Sequence, residues 1–353
     1  MSSERKDDHV RLAAAQQEQP SIAANGFDDV AFVHHALAGI DAERVSLAGD
    51  LLGARWSVPL YVNAMTGGSE STGRINRDLA IAAREAGVPL ASGSMSVALE
   101  NPALAPTFRV LRDEHPDGFL FANLGVERTP DDARRAVDLI EANALQVHVN
   151  SVQETVMPEG RRAFSSWQRS LESLVAAVDV PVVVKEVGFG LSARTLALLA
   201  DLGVAAADVS GRGGTDFVRV ENARRGGEGY SYLTGWGQSA VECLIDAPAS
   251  APVLLASGGV RTPLDAVRAL ALGARAVGVS GPFLKTVLDG GPGALASRLL
   301  EWTEHLTALS ALLGAAAPAD LVATDLVVTG DTADFCRARG IDLSALSRRS
   351  PAR

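Results

Sequence analysis

The chain has 353 residues, of which 47% are hydrophobic, so it can bury one large core, and its net charge is −10. That charge argues against a nucleic-acid partner, since phosphate backbones attract basic proteins. Two cysteines, Cys243 and Cys336, cannot build a disulfide framework and sit in no CxxC pattern. No apolar run reaches the roughly 18 residues of a membrane span, and Met1 to Gln19 lack the apolar centre of a signal peptide. These features predict a soluble cytoplasmic protein without a membrane partner.

In chain order, residues 1–58 read as an N-terminal arm and cap. They hold a polar arm, a helical stretch around Asp28–Ala38, and a hairpin-like run, Val45–Leu51 then Ala54–Val58, turned at Leu52-Gly53. Eight short apolar runs follow: Pro59–Asn63, Val88–Ser92, Gly118–Asn123, Ala144–Asn150, Pro181–Val187, Ala205–Ser210, Pro252–Ser257 and Ala276–Ser280. Mostly non-alternating, they read as strands buried on both faces of a parallel sheet. Helical patterns with capping starts lie between them, as at Thr129-Pro130-Asp131-Asp132, Ser192-Ala193-Arg194 and Thr262-Pro263-Leu264-Asp265. A Rossmann fold would want an early GxGxxG and a following acid, and neither is present. The pattern predicts an α/β fold, a (β/α)8 TIM barrel over 59–314, which suits a typical barrel length of about 250 residues. A C-terminal helical extension and tail, 315–353, completes the chain, with Ser347–Arg353 expected to be loose. The glycine-rich insertion Gly211–Gly237 reads as a flexible lid.

In such a barrel the chemistry collects at the C-terminal strand ends. Here every strand ends in small or hydrogen-bonding residues. They run through Asn63-Ala64-Met65-Thr66, Ser92-Gly93-Ser94-Met95-Ser96, Asn123, then His148, Asn150, Gln153 and Glu154. Lys185-Glu186, Ser210 to Thr215, Ser257-Gly258-Gly259-Val260-Arg261 and Ser280-Gly281 follow. Gly258-Gly259 and Gly281 allow backbone N–H groups to approach a phosphate where barrels often hold one, with Arg261 adding a charge-assisted contact. A tight turn before Thr262-Pro263 would explain the paired glycines alone. Lys185 in an apolar run is costly without a partner, and suggests a cation beside a cofactor or a nucleophile. Glu186, next to it on a strand, points to the opposite face. Glu154 suits Mg2+ bridging to phosphate oxygens, or a helix cap. His148 suits catalysis and a satisfied core position equally, while Trp236 reads as a lid anchor and Cys243 as core.

Taken together, Lys185-Glu186-Val187-Gly188-Phe189-Gly190, Asp208-Val209-Ser210-Gly211-Arg212-Gly213-Gly214-Thr215, Met65-Thr66-Gly67-Gly68 and Ser257-Gly258-Gly259-Val260-Arg261 resemble type 2 isopentenyl-diphosphate isomerase. Arg5-Lys6-Asp7-Asp8-His9 is similar to that family's opening motif, and the likeness runs in order from about residue 5 to 285. The resemblance implies FMN, active when reduced, held by Ala64, Met65, Thr66, Ser94, Asn123, Lys185, Ser210 and Thr215. It places the FMN phosphate at Gly258, Gly259, Val260 and Arg261 with Ser280 and Gly281. A prenyl diphosphate substrate would meet Arg5, Lys6 and His9, with Ser94, Met95, Ser96 and Asn150 nearby. Gln153 would stand close to the reacting carbons, Lys185 and His148 would be the other catalytic residues, and Glu154 would bind Mg2+. NADPH as reductant and a homo-oligomer, tetramer or octamer, are also implied.

Two departures bear on the substrate. The family commonly has Ser-Gln-Arg where this chain has Ser94-Met95-Ser96, so one phosphate-binding arginine is absent; Arg161 and Arg162 are candidates to replace it. After Trp236-Gly237 the chain continues Gln238-Ser239, where proline and threonine are expected. An FMN-dependent 2-hydroxy-acid oxidase is the nearest alternative, but its histidine is missing from Gly211-Arg212-Gly213-Gly214. A flavin-binding protein without turnover would need neither Arg5-Lys6 nor Gln153 and Glu154. Because the arm has no core to join, it is expected to fold over the mouth only when substrate binds.

Overall fold

All eight apolar runs contribute strands to one closed parallel ring in the computed structural model, which describes residues 3–18, 25–226 and 229–351. Pieces of the expected arm (1–2 and 19–24), lid (227–228) and tail (352–353) lie outside the described residues. The strands are β1 (Leu60–Val62), β2 (Leu90–Ala91), β3 (Leu120–Gly125), β4 (Ala144–His148), β5 (Val182–Lys185), β6 (Ala206–Asp208), β7 (Val253–Ala256) and β8 (Ala276–Val279). Each pairs with the next, and Val277 beside Leu60 closes the ring from β8 to β1. The register sets His148 beside Lys185, and Lys185 beside Asp208, so three polar strand ends stand level.

The helices begin where the capping residues predict. Thr129 forms a reciprocal capping box with Asp132 ahead of Pro130–Leu139, Ser192 caps Ala193–Asp201, and Thr262 caps Pro263–Ala271. Ser239, in the position where the family pattern expects another residue, closes its own capping box with Glu242. After β8 the helix Gly281–Leu312 kinks at Gly291-Pro292, where φ is 72°.

The expected hairpin forms, with Gly49–Leu51 paired to Ala54–Trp56. Leu52 and Gly53 both have positive φ, 51° and 78°, the two-residue turn whose twist matches a hairpin. Its Leu51 and Trp56 pack against Tyr61, Phe121, Val183 and Leu255 at the N-terminal side of the barrel interior.

Two expectations fail here. The stretch around Asp28–Ala38 is not a helix: a short 3-10 turn, Gly26–Asp29, leads into a strand, Val30–Phe32. That strand pairs antiparallel with Leu326–Val328 of the tail, so a partner from the far end of the chain overrides local helix propensity. Nor is the tail loose from Ser347 to its last described residue. Arg349 donates to the Thr324 and Ala271 carbonyls, and the Ser350 N–H to Asp325. Among the described residues no helix is long and apolar enough to cross a membrane.

Candidate functional site

At the C-terminal strand ends lies a cavity of ≈ 410 Å³. The sequence places its lining there, because side chains that end each strand project into the mouth. Of the expected residues, Arg5, Lys6, His9, Ala64, Met65, Ser94, Ser96, Asn123, His148, Asn150, Gln153, Glu154 and Lys185 line it. Ser210, Thr215, Gly258, Gly259, Val260, Arg261, Ser280 and Gly281 do so as well.

Thr66 and Met95 do not. Met95 is fully buried in the apolar core, so its side chain is not available to a substrate. Thr66 is buried beneath the mouth, and its hydroxyl, like that of Ser92, has no hydrogen-bond partner. Arg161 and Arg162 also stand outside the cavity, with Arg162 donating to the Thr155 carbonyl. The cations that line it are Arg5, Lys6, Lys185, Arg212, Arg219 and Arg261.

Arg261 departs most from expectation. Its guanidinium makes a two-pronged pair with Asp28 and also reaches Asp265, while its own N–H goes to Asp265. Four carboxylate oxygens face it, so the side chain ties the N-terminal segment to the loop after β7. The glycines beside it serve packing too. A Cβ on Gly258 would lie 1.9 Å from the Gly211 carbonyl oxygen, and φ there is +85°. The loops after β6 and β7 therefore touch backbone to backbone. Asn25 braces the turn by donating to the Gly259 carbonyl at 2.7 Å.

The arm, expected to have no core to join, is a helix, Ser3–Gln16, lying over the mouth. Tertiary contacts supply what composition did not. Asp7 accepts from Ser69 and Ser71, Lys6 Nζ donates to the Ser94 carbonyl at 3.2 Å, and Gln16 exchanges two bonds with the Asp216 backbone. Burial, with Arg5 adjacent, lowers the Lys6 pKa to about 7. The described part of the glycine-rich segment holds the helix Phe217–Arg225, packed under the arm.

That helix supplies Glu221, to which no sequence motif pointed. It is fully buried and accepts from Gln153 Nε2 at 2.8 Å, pairs with His9 Nε2 at 3.0 Å, and receives Arg224. Burial would raise its pKa, but the bonds from His9, Gln153 and Arg224 outweigh that and lower it. Since Gln153 spends its NH2 on Glu221, its Oε1 accepts from Asn150 at 3.1 Å.

Glu154 is no cap of its own helix, Ser151–Val156, where Asn150 holds the cap position. Its Oε2 accepts the Arg161 N–H at 2.8 Å, and burial together with Glu127 raises its pKa. Lys185 donates to the Glu186 backbone carbonyl at 2.6 Å, while the Glu186 carboxylate takes the Val187 and Phe189 N–H groups. The Lys185 pKa falls through burial, opposed by Asp208 and Glu186. Trp236 lies at the rim, 57% exposed, and Cys243 is core.

This donor set fits FMN. A glycine turn after β7 and the N-terminus of Gly281–Leu312 beside Ser280, both in the cavity wall, offer dipolar donors to a flavin and its phosphate. A family model described as FMN-dependent dehydrogenase matches residues 120–328. Over 349 residues the chain is 60% identical to the isopentenyl-diphosphate delta-isomerase of Streptomyces sp. (strain CL190), covering 99% of this chain and 96% of that protein. It is 44% identical to the Staphylococcus epidermidis protein of the same name, with 97% of each covered. Mandelate oxidase, solved with (S)-2-phenylpropionate, superposes with a TM-score of 0.62 at 19% identity, covering 91% of this chain and 90% of that one, a likeness of fold.

Proposed function

Because the chain belongs to the isopentenyl-diphosphate delta-isomerase family, among the FMN-dependent dehydrogenases, we propose that it interconverts isopentenyl and dimethylallyl diphosphate. The observation that carries this reading is the arm helix, which brings Arg5, Lys6 and His9 over a cavity that also holds Gln153, Glu154 and Lys185.

The reaction adds a proton to the terminal methylene and removes another from the carbon next to CH2–O. Reduced FMN, when bound, supplies an electron-rich ring and an exchangeable proton, so that the cofactor itself is acid and base. In this reading the protein provides position, charge and dryness. Lys185 balances the negative charge of a reduced flavin. Gly259, Val260, Ser280 and Gly281 offer backbone and hydroxyl donors to the FMN phosphate. Arg5, Lys6 and His9 grip the diphosphate, and Gln153, held by Glu221 and Asn150, orients the reacting carbons. Glu154 would hold Mg2+, whose charge would offset that of the diphosphate, with Glu127 adding to the negative potential there. NADPH is the reductant, the protein works in the cytoplasm, and the assembly is a homo-oligomer.

Anaerobic incubation with FMN, NADPH, Mg2+ and isopentenyl diphosphate tests the proposal, with dimethylallyl diphosphate as the expected product. A flavin-loaded protein that forms none, yet oxidises a 2-hydroxy acid, would overturn it.

A further inference from the structure

Below the mouth a line of polar side chains crosses the otherwise apolar barrel interior. It begins at Asp208, fully buried on β6, whose carboxylate accepts from Tyr61 Oη at 2.7 Å, Asn63 Nδ2 at 2.8 Å, Ser257 Oγ at 2.7 Å and the Ser210 N–H at 3.1 Å. It continues through Asn63, Gln146 and Asn123 and ends at His148. Alternation along the strands explains the alignment: Tyr61 and Asn63 share a face, as do Gln146 and His148, and Asn123 sits beside Gln146 in register.

Each amide in the line has one permitted orientation. A backbone N–H can only donate, so Asn63 turns Oδ1 to the Ala64 N–H at 2.8 Å and Nδ2 to Asp208. With Oδ1 facing inward, Asn63 can only accept from Gln146, which presents Nε2 at 3.3 Å. The Gln146 Oε1 then accepts from Asn123 Nδ2 at 2.8 Å, leaving Asn123 Oδ1 turned to His148 Nδ1 at 2.9 Å. An oxygen at that distance requires a proton on Nδ1.

We propose that Asn63, Gln146 and Asn123 form a one-way relay that carries hydrogen-bond polarity from Asp208 to His148, fixing the imidazole as the Nδ1–H tautomer with a bare Nε2 at the cavity. Asp208 and the three amides are thus positioning residues for His148. The second proton of an imidazolium is disfavoured separately: burial, then Lys185, Lys6, Arg128 and Arg5, lower the His148 pKa to about 3. His148 therefore meets a ligand as a neutral acceptor. It can receive a proton or a hydrogen bond, and it does not serve as a cation in the diphosphate grip. Only this last consequence rests on the isomerase reading.

The test is 15N NMR of the full-length, FMN-loaded protein labelled at histidine, with His148 assigned by its loss in His148→Gln. The expected spectrum has a pyrrole-like Nδ1 and a pyridine-like Nε2. A pyridine-like Nδ1, or two protonated nitrogens, would overturn the proposal without any variant. Gln146→Met keeps the bulk and cuts the relay, so the pure Nδ1–H signature is expected to be lost to a tautomer mixture. A signature that survives the cut would show that the relay does not set the tautomer. Because the spectrum needs no turnover, a protein with this signature but no isomerase activity would sink the proposed function and leave the relay standing.

Discussion

Glu221 Oε1 lies 2.8 Å from Gln153 Nε2, a buried contact between the lid helix and the helix after β4. His9 of the arm meets the same oxygen at 3.0 Å, so three separate segments converge on one buried carboxylate. Replacing it by an amide removes the charge that draws His9 and Arg224. Loss of a charge-assisted hydrogen bond costs about 1.5–3 kcal/mol, or roughly ten- to a hundredfold. Glu221→Gln is expected to lower kcat/KM for isopentenyl diphosphate by that factor, with FMN affinity unchanged in a fluorescence titration. Wild-type kinetics in this variant would show that Gln153 is oriented by other contacts.

Lys6 gives a pH dependence whose sign can be worked out. Its folded pKa of about 7 lies below the ordinary 10.5. The cost of burying the charged form is therefore fully present below pH 7, is relieved between 7 and 10.5, and is gone above. A bound diphosphate favours the charged form and reverses this. Affinity for the diphosphate should fall as pH rises through 7, by up to about tenfold per unit for one linked proton. Lys6→Arg, which stays charged, should flatten the profile. A wild-type KM that is level from pH 7 to 9 would remove Lys6 from the grip.

Arg261 is expected to matter for stability more than for flavin. Arg261→Ala strips partners from Asp28 and from Asp265, which is 1% exposed. Asp265 keeps Arg268 at 3.0 Å, so the loss should be moderate, about 1–3 kcal/mol. Thermal unfolding should register it while the FMN dissociation constant stays within a few-fold. The opposite pattern, a stable protein that no longer binds FMN, would restore the phosphate role.

Two glycines with similar backbone make a controlled pair. Gly258 and Gly273 have φ of +85° and +105°, but a Cβ meets backbone at 1.9 Å only at Gly258, and nothing within 4 Å at Gly273. Gly273→Ala should lose about 1–2 kcal/mol for left-handed backbone alone. Gly258→Ala must also part the loops after β6 and β7, and should purify without flavin or fail to fold. Equal melting points for the two would mean that the loops do not need their close approach.

For Glu154, the expected outcome of Glu154→Gln is a weakened Mg2+ response of the isomerisation with FMN content intact. An unchanged Mg2+ titration would leave it a structural role, accepting from the Arg161 N–H and from Asn150.

The sequence by itself determined the barrel and its polar rim. Eight apolar runs that must be hidden on both faces need a parallel sheet covered by helices, the missing GxGxxG favoured a barrel over a doubly wound sheet, and residues such as Lys185 then fall at its strand ends. The same local signals started the helices at Thr129, Ser192 and Thr262, since a cap bonds to its own next turn. What only the tertiary structure decided are the contacts between distant segments. Val30–Phe32 became a strand because Leu326–Val328 lies beside it, and Arg261 turned to Asp28 because the N-terminal segment passes there. Glu221 gained its role from His9 and Gln153, which are remote from it in sequence. Asn63, Asn123, Gln146 and Asp208 stood in the strands as isolated polar residues, and only the ring of strands brought them into one line. Periodicity and caps report a residue's neighbours along the chain, whereas a buried polar group is satisfied by whatever the fold sets against it, and that partner has no fixed spacing in sequence.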